Sequence, residues 1–113
     1  MKIITATITN EELKQIAADM FEDLLKAVID VEKEIIAIDA ELHSDLEALL
    51  LENGSKQKNL WGINFYPKMQ GNEFVEFDSI INMRPSQNNR SRGVEDKEIR
   101  KKIIEIVEKR IKR

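Results

Sequence analysis

The hydrophobic rhythm of the chain changes period several times, and each change predicts an element. Lys2 to Ile8 alternates Ile3, Thr5 and Thr7 against Ile4, Ala6 and Ile8 and is mostly β-branched, which predicts a strand. Thr9-Asn10-Glu11-Glu12 reads as a capping box, and Leu13, Ile16, Ala17, Met20, Phe21 and Leu24 then fall at helical spacing. Residues 25–42 fit two patterns. Leu24, Val28, Val31, Ile35, Ile38 and Leu42 would extend the helix as a heptad seam. A hairpin turning at Lys33-Glu34 would instead pair Val31 with Ile36, Ile29 with Ile38, Ala27 with Ala40 and Lys26 with Glu41. The β-branched Val28, Ile29, Val31, Ile35, Ile36 and Ile38 favour the hairpin, although Glu34 stands where a tight turn favours glycine.

Ser44-Asp45-Leu46-Glu47 reads as a second capping box, opening a short helix that stops at Asn53-Gly54. Leu60 to Tyr66 alternates Trp61, Ile63 and Phe65 against Gly62, Asn64 and Tyr66, and Phe74 to Arg84 resumes as a strand. Pairing the two about Gln70 matches Phe65 with Val75, Ile63 with Phe77 and Trp61 with Ser79. The opposite face then carries Asn64, Tyr66, Glu76, Asp78, Asn82 and Arg84, which is either solvent-exposed or the floor of a site. Glu95 and Asp96 open a last helix with Ile99, Ile103, Ile106, Val107 and Ile111 on one face. The expected architecture is α+β, one small domain over residues 1–113 in the order β-α-β-β-α-β-β-α with antiparallel hairpins. A further reading is an oligomerisation or interaction protein whose apolar helical faces complete the core of a homodimer.

Two runs, AELHSDLEALLLENGSKQKNLWGINFYP from Ala40 to Pro67 and INMRPSQNNRSRGVED from Ile81 to Asp96, carry a resemblance over nearly the whole chain. They resemble a family of small uncharacterised prokaryotic proteins classified as a domain of unknown function, in which the ELH, LWGIN and RPSQNNRS pieces recur. The resemblance supports the fold and implies no reaction. Where such relatives are expected to carry glycine, at the hairpin turn and before ELH, this chain has Glu34 and Asp39-Ala40.

Charge adds a second theme. Residues 1–56 hold 5 basic and 13 acidic side chains, residues 57–113 hold 13 and 8, and the net charge is −3. Between Asp78 and Glu95 there is no acid, yet Arg84, Arg90 and Arg92 stand among Ser86, Gln87, Asn88, Asn89 and Ser91. Planar guanidinium forks suit phosphate or carboxylate. The loop therefore predicts a binding module for an anionic ligand, RNA included, with Asn64, Tyr66, Asn82, Asn89 and Ser91 as further ligand-binding candidates. Alternatively the arginines tether the basic half to Asp30, Asp39 or Glu41. Trp61 shares its side with Ile63 and Phe65 and reads as core, whereas Tyr66 is the better stacking surface.

Glu41 and His43 are the candidate catalytic pair, a carboxylate beside an imidazole that would act as base in a toxin-type ribonuclease while the arginines stabilise phosphorane charge. The structural alternative has His43 hydrogen-bonding locally before a capped helix. The chain has no cysteine and one histidine, which excludes disulfides, thiolate chemistry and two-histidine metal motifs. No metal or cofactor is expected. Gly-rich phosphate loops and nucleophile elbows are absent, and Ser91 has no adjacent base to activate it. With no spanning segment or signal core, the protein reads as cytoplasmic with no membrane partner.

Overall fold

A computed structural model describes residues 1–113. Ten elements follow in order: β1 (Lys2–Ile4), β2 (Ile8–Thr9), α1 (Asn10–Asp19), β3 (Leu25–Asp30), β4 (Ile35–Ile38), α2 (His43–Glu52), β5 (Leu60–Phe65), β6 (Val75–Glu76), α3 (Lys97–Arg110) and β7 (Ile111–Lys112). This is an α+β fold. Strands β1-β4-β3-β5-β6 form one antiparallel sheet in that order, while β2 and β7 pair in parallel, Ile8 with Ile111.

Both faces of the sheet are covered. Leu25, Ala27, Ile29, Ile36, Ile38, Trp61, Ile63 and Phe65 pack against Leu13 and Ala17 of α1 and Ile103, Ile106 and Val107 of α3. On the other face Val28, Ala37 and Leu60 pack against Leu46 and Leu50 of α2. The apolar faces of the three helices are thus turned onto the chain's own sheet. Each fully buried Leu or Ile contributes about 1.5–3 kcal/mol of apolar transfer.

Residues 25–42 form the hairpin, but its register differs from the expected one by two residues: Ala27 pairs with Ile38 and Ile29 with Ile36. The cause is Asp30, 1 % exposed, whose Oδ1 accepts from the Glu32 and Lys33 amides at 2.9 Å each and closes a four-residue turn. Its Oδ2 accepts from the Ser55 hydroxyl at 2.6 Å. Glu34 and Asp39, where glycine was expected, adopt φ of 58° and 74°. Glu34 is held there by α3: its carboxylate accepts from Lys102 at 2.8 Å and Lys109 at 2.9 Å, and its carbonyl from Arg110 at 2.9 Å. The two lysines lower its pKa to about 2.

Other boundaries also depart from the pattern. The first strand splits at residues 5–7. Thr9 caps α1 by accepting from Glu12 N–H, but α1 stops at Asp19, because Phe21 turns left-handed at φ 57° and its amide bonds Ala18 while that of Glu22 bonds Ala17. Helix α2 begins at His43 with Leu42 in the capping position, so Ser44 is inside the helix rather than its cap. The expected strand from Phe74 to Arg84 is only Val75–Glu76. Its register is as expected, Phe65 with Val75, but the chain then leaves the sheet, and Ser79 caps a single tight turn at Ile80–Asn82.

Candidate functional site

The covered face of the sheet opens into a cleft of about 520 Å³ where α2 begins. Its floor is built by strand register. Lys26 of β3 pairs with Asn64 of β5, and Asn64 pairs with Glu76 of β6, so the three side chains form a row across adjacent strands. Asn64 Nδ2 donates to Glu76 Oε1 at 2.9 Å and to the Asp78 carbonyl at 3.4 Å, and the Tyr66 hydroxyl donates to the same Glu76 oxygen at 3.0 Å. Asn64 is 6 % exposed, and its Oδ1 is buried with no partner. Burial and the Glu76 carboxylate raise the Tyr66 pKa, keeping the phenol a donor.

His43, the first residue of α2, reaches over Gly62 so that its Nε2 lies 2.8 Å from the Ile63 carbonyl. A carbonyl only accepts, so Nε2 carries the proton, and Nδ1 is left as the lone-pair nitrogen with no protein partner. Burial lowers the His43 pKa, against the opposing effect of the carbonyl, and holds the ring neutral. Gly62 is required here: a Cβ would lie 2.5 Å from Ser79 Cβ and 3.2 Å from His43 Cδ2.

One wall comes from the arginine loop. Arg92 donates from Nε to Asp78 Oδ1 at 2.7 Å and lines the cleft with Ile80 and Ile81. Lys26 donates to the Glu41 carbonyl at 2.7 Å. No side chain caps α2, so its first amides, beside Leu42, His43 and Ser44 of the cleft, have no side-chain acceptor.

The loop itself is ordered by its amides. Asn82, fully buried, donates to the carbonyls of Gly62 and Arg92 at 2.9 Å each and accepts from Gly62 N–H at 2.8 Å. Asn89 donates to the carbonyls of Asn82 and Gly93 at 2.8 Å each, and to that of Ser91 at 3.2 Å, while its Oδ1 accepts from Glu95 N–H at 2.9 Å. The Glu95 carboxylate accepts from the amides of Ser91 and Arg90, which lower its pKa. Ser91 Oγ accepts from Gly93 N–H at 3.2 Å.

The fold thus divides the sequence candidates. His43, Asn64, Tyr66 and Arg92 line one cleft. Asn82 and Asn89 face inward and spend their amides on backbone. Arg84 is partly buried, donates to the carbonyls of Gln57 and of Leu60, the latter at 2.6 Å, and stacks 4.3 Å over the Trp61 ring. Arg90 is exposed and its guanidinium has no protein partner. Glu41 lines an adjoining hollow with Met20, Leu24, Ala40 and Leu42. None of the three arginines reaches Asp30, Asp39 or Glu41. The anchor for Arg92 is Asp78, on its own half of the chain. Lys26 and the uncapped start of α2 were missed by the sequence reading. Lys26 reaches the site through the β3–β5 pairing that sets it beside Asn64, which local patterning does not contain.

The residues present form no group of three or more metal-ligating side chains. No helix is long and apolar enough to cross a membrane. A family model described as a protein of unknown function (DUF5674) matches residues 2–110. No curated protein and no solved structure matches the chain.

Proposed function

The chain belongs to the DUF5674 family, proteins of unknown function, and from that premise we propose that it is a small binding module whose cleft holds a ligand through a carboxylate or phosphate. The observation that carries this reading is the convergence of Arg92, Lys26 and the uncapped N-terminus of α2 on one cleft. Arg92, which also holds Asp78, Lys26, which also holds the Glu41 carbonyl, and the start of α2 would together take an anionic head group through charge-assisted hydrogen bonds, at the end of the cleft away from Glu76. Asn64 and Tyr66 orient the ligand. Arg84, Asn82 and Asn89 hold the loop that presents Arg92, which lowers the ordering cost of binding. For an RNA ligand, the exposed Arg90 would add a phosphate contact beyond the cleft.

Calorimetry with acetate, inorganic phosphate and a short single-stranded RNA tests the reading. Arg92→Ala and Lys26→Met should each weaken binding by about 1.5–3 kcal/mol, the scale of a hydrogen bond to a charged group. A parent protein that binds none of these at low salt rules the module out.

His43 supports a second reading, a ribonuclease of the toxin type. Its Nδ1 has no protein partner, its ring is held neutral, and it shares the cleft with Arg92. Nδ1 would accept the proton of the ribose 2′-hydroxyl as its oxygen bonds phosphorus, Arg92 would stabilise the phosphorane charge, and the P–O5′ bond would then break with that proton passing to the leaving oxygen. Turnover of RNA lost in His43→Gln with binding retained selects this reading over the module.

A further inference from the structure

The cleft that holds the proposed anion also contains features that an anion leaves unused. Lys26, Asn64 and Glu76 succeed one another across β3, β5 and β6 on one face, at the spacing of neighbouring strands, about 4.8 Å. A cation stands at one end of this row, a carboxylate at the other, and a buried amide between them. The amide orientation is set by its acceptors: Nδ2 faces Glu76 Oε1 and the Asp78 carbonyl, so Oδ1 is the atom left without a donor. A buried acceptor of this kind calls for an N–H or O–H from a ligand. A simple anion would leave it unsatisfied and would meet the negative charge of Glu76 and Asp78.

A third feature adjoins the row. Leu24, Lys26 and Leu42 line both this cleft and a neighbouring hollow of about 460 Å³, where Met20 and Ala40 continue the apolar lining and Glu22 and Glu41 stand beside it. An apolar group placed there lies next to whatever Lys26 holds. Resting on the anion-binding reading above, we propose that the ligand is a zwitterion of the α-amino-acid class with an apolar side chain. Its carboxylate lies toward Lys26 and the start of α2, its ammonium toward Glu76 and Asn64 Oδ1, and its side chain in the hollow.

Calorimetry on the full chain tests this with L-leucine, glycine, N-acetyl-L-leucine, L-leucinamide and inorganic phosphate. Leucine should bind at least tenfold more tightly than its N-acetyl or amide derivative, since each derivative removes one charge. Glu76→Gln keeps an acceptor for Asn64 and Tyr66 but should weaken leucine tenfold or more while leaving N-acetyl-leucine unchanged or tighter. Leu24→Asp should weaken leucine without weakening glycine, and melting temperatures of both variants report that they fold. If N-acetyl-leucine or phosphate binds as well as leucine, or Glu76→Gln leaves leucine unaffected, the zwitterion is wrong and the anion reading stands. If no probe binds, both are overturned.

Discussion

The side-chain amide of Asn82 closes on the backbone of Gly62, accepting from its N–H at 2.8 Å and donating to its carbonyl at 2.9 Å. In this way a side chain takes the place of the strand that ends at Glu76, and β5 stays paired where β6 no longer runs beside it. Asn82→Ala strands both backbone groups in a buried site, at about 1–3 kcal/mol for each unsatisfied group. Urea denaturation should show a loss of roughly 2–4 kcal/mol, a large share of the stability of a domain this size. A loss below about 1 kcal/mol would mean that water replaces the amide and that the loop is not pinned there.

The same glycine governs the approach of loop and helix. A Cβ at residue 62 would stand 2.5 Å from Ser79 Cβ and 2.6 Å from Ser79 Oγ, inside van der Waals contact. Gly62→Ala should therefore displace the Ser79 turn and the His43 ring, at a cost of about 1–3 kcal/mol for overpacking. Adding Ser79→Gly should recover part of that loss, and the recovered part measures the coupling directly. Purely additive effects would show that the two positions do not press on each other.

Arg84 and Arg90 should behave oppositely. Arg84 holds two carbonyls at the start of β5 and stacks on Trp61, so Arg84→Ala should lower stability by about 1–3 kcal/mol and alter tryptophan fluorescence. Arg90→Ala, on an exposed side chain without a partner, should change stability by no more than about 0.5 kcal/mol. Equal effects from the two would contradict this division of the loop.

That division explains what was legible beforehand. β-branching and alternation showed β3, β4 and β5, and Thr9 marked the start of α1, because these signals are local. The hairpin register was decided instead by the Asp30 carboxylate gathering turn amides, which period-2 counting does not contain. Glu34 reads as a poor turn residue until Lys102 and Lys109, far along the chain, are seen to hold it. In sequence the three arginines look equivalent, as do Asn64, Asn82 and Asn89. Only the fold separates Arg92 and Asn64, which reach the cleft, from Arg84, Asn82 and Asn89, which build its wall. Polar residues declare their chemistry in sequence but not their partner.

His43 gives the fold a pH dependence whose sign follows from its surroundings. Burial disfavours the imidazolium, so the folded pKa lies below that of the unfolded chain. Below the ordinary value of about 6.5 the unfolded state binds a proton that the folded state resists, so this contribution is full above that value and is lost as pH falls toward the folded pKa. The carboxylates act in a lower window. Glu34 is held at about 2 and Glu95 is also lowered, so their contributions are lost only as the solution falls below the usual carboxylate range. His43→Gln retains an N–H for the Ile63 carbonyl and removes the titration. Unfolding free energies measured by urea between pH 7.5 and 5.0 should therefore fall more steeply for the parent than for His43→Gln. Parallel curves over the whole range, or an NMR titration of the His43 ring at or above 6.5, would show that burial does not depress the His43 pKa and that the ring contributes nothing to the acid side of the stability curve.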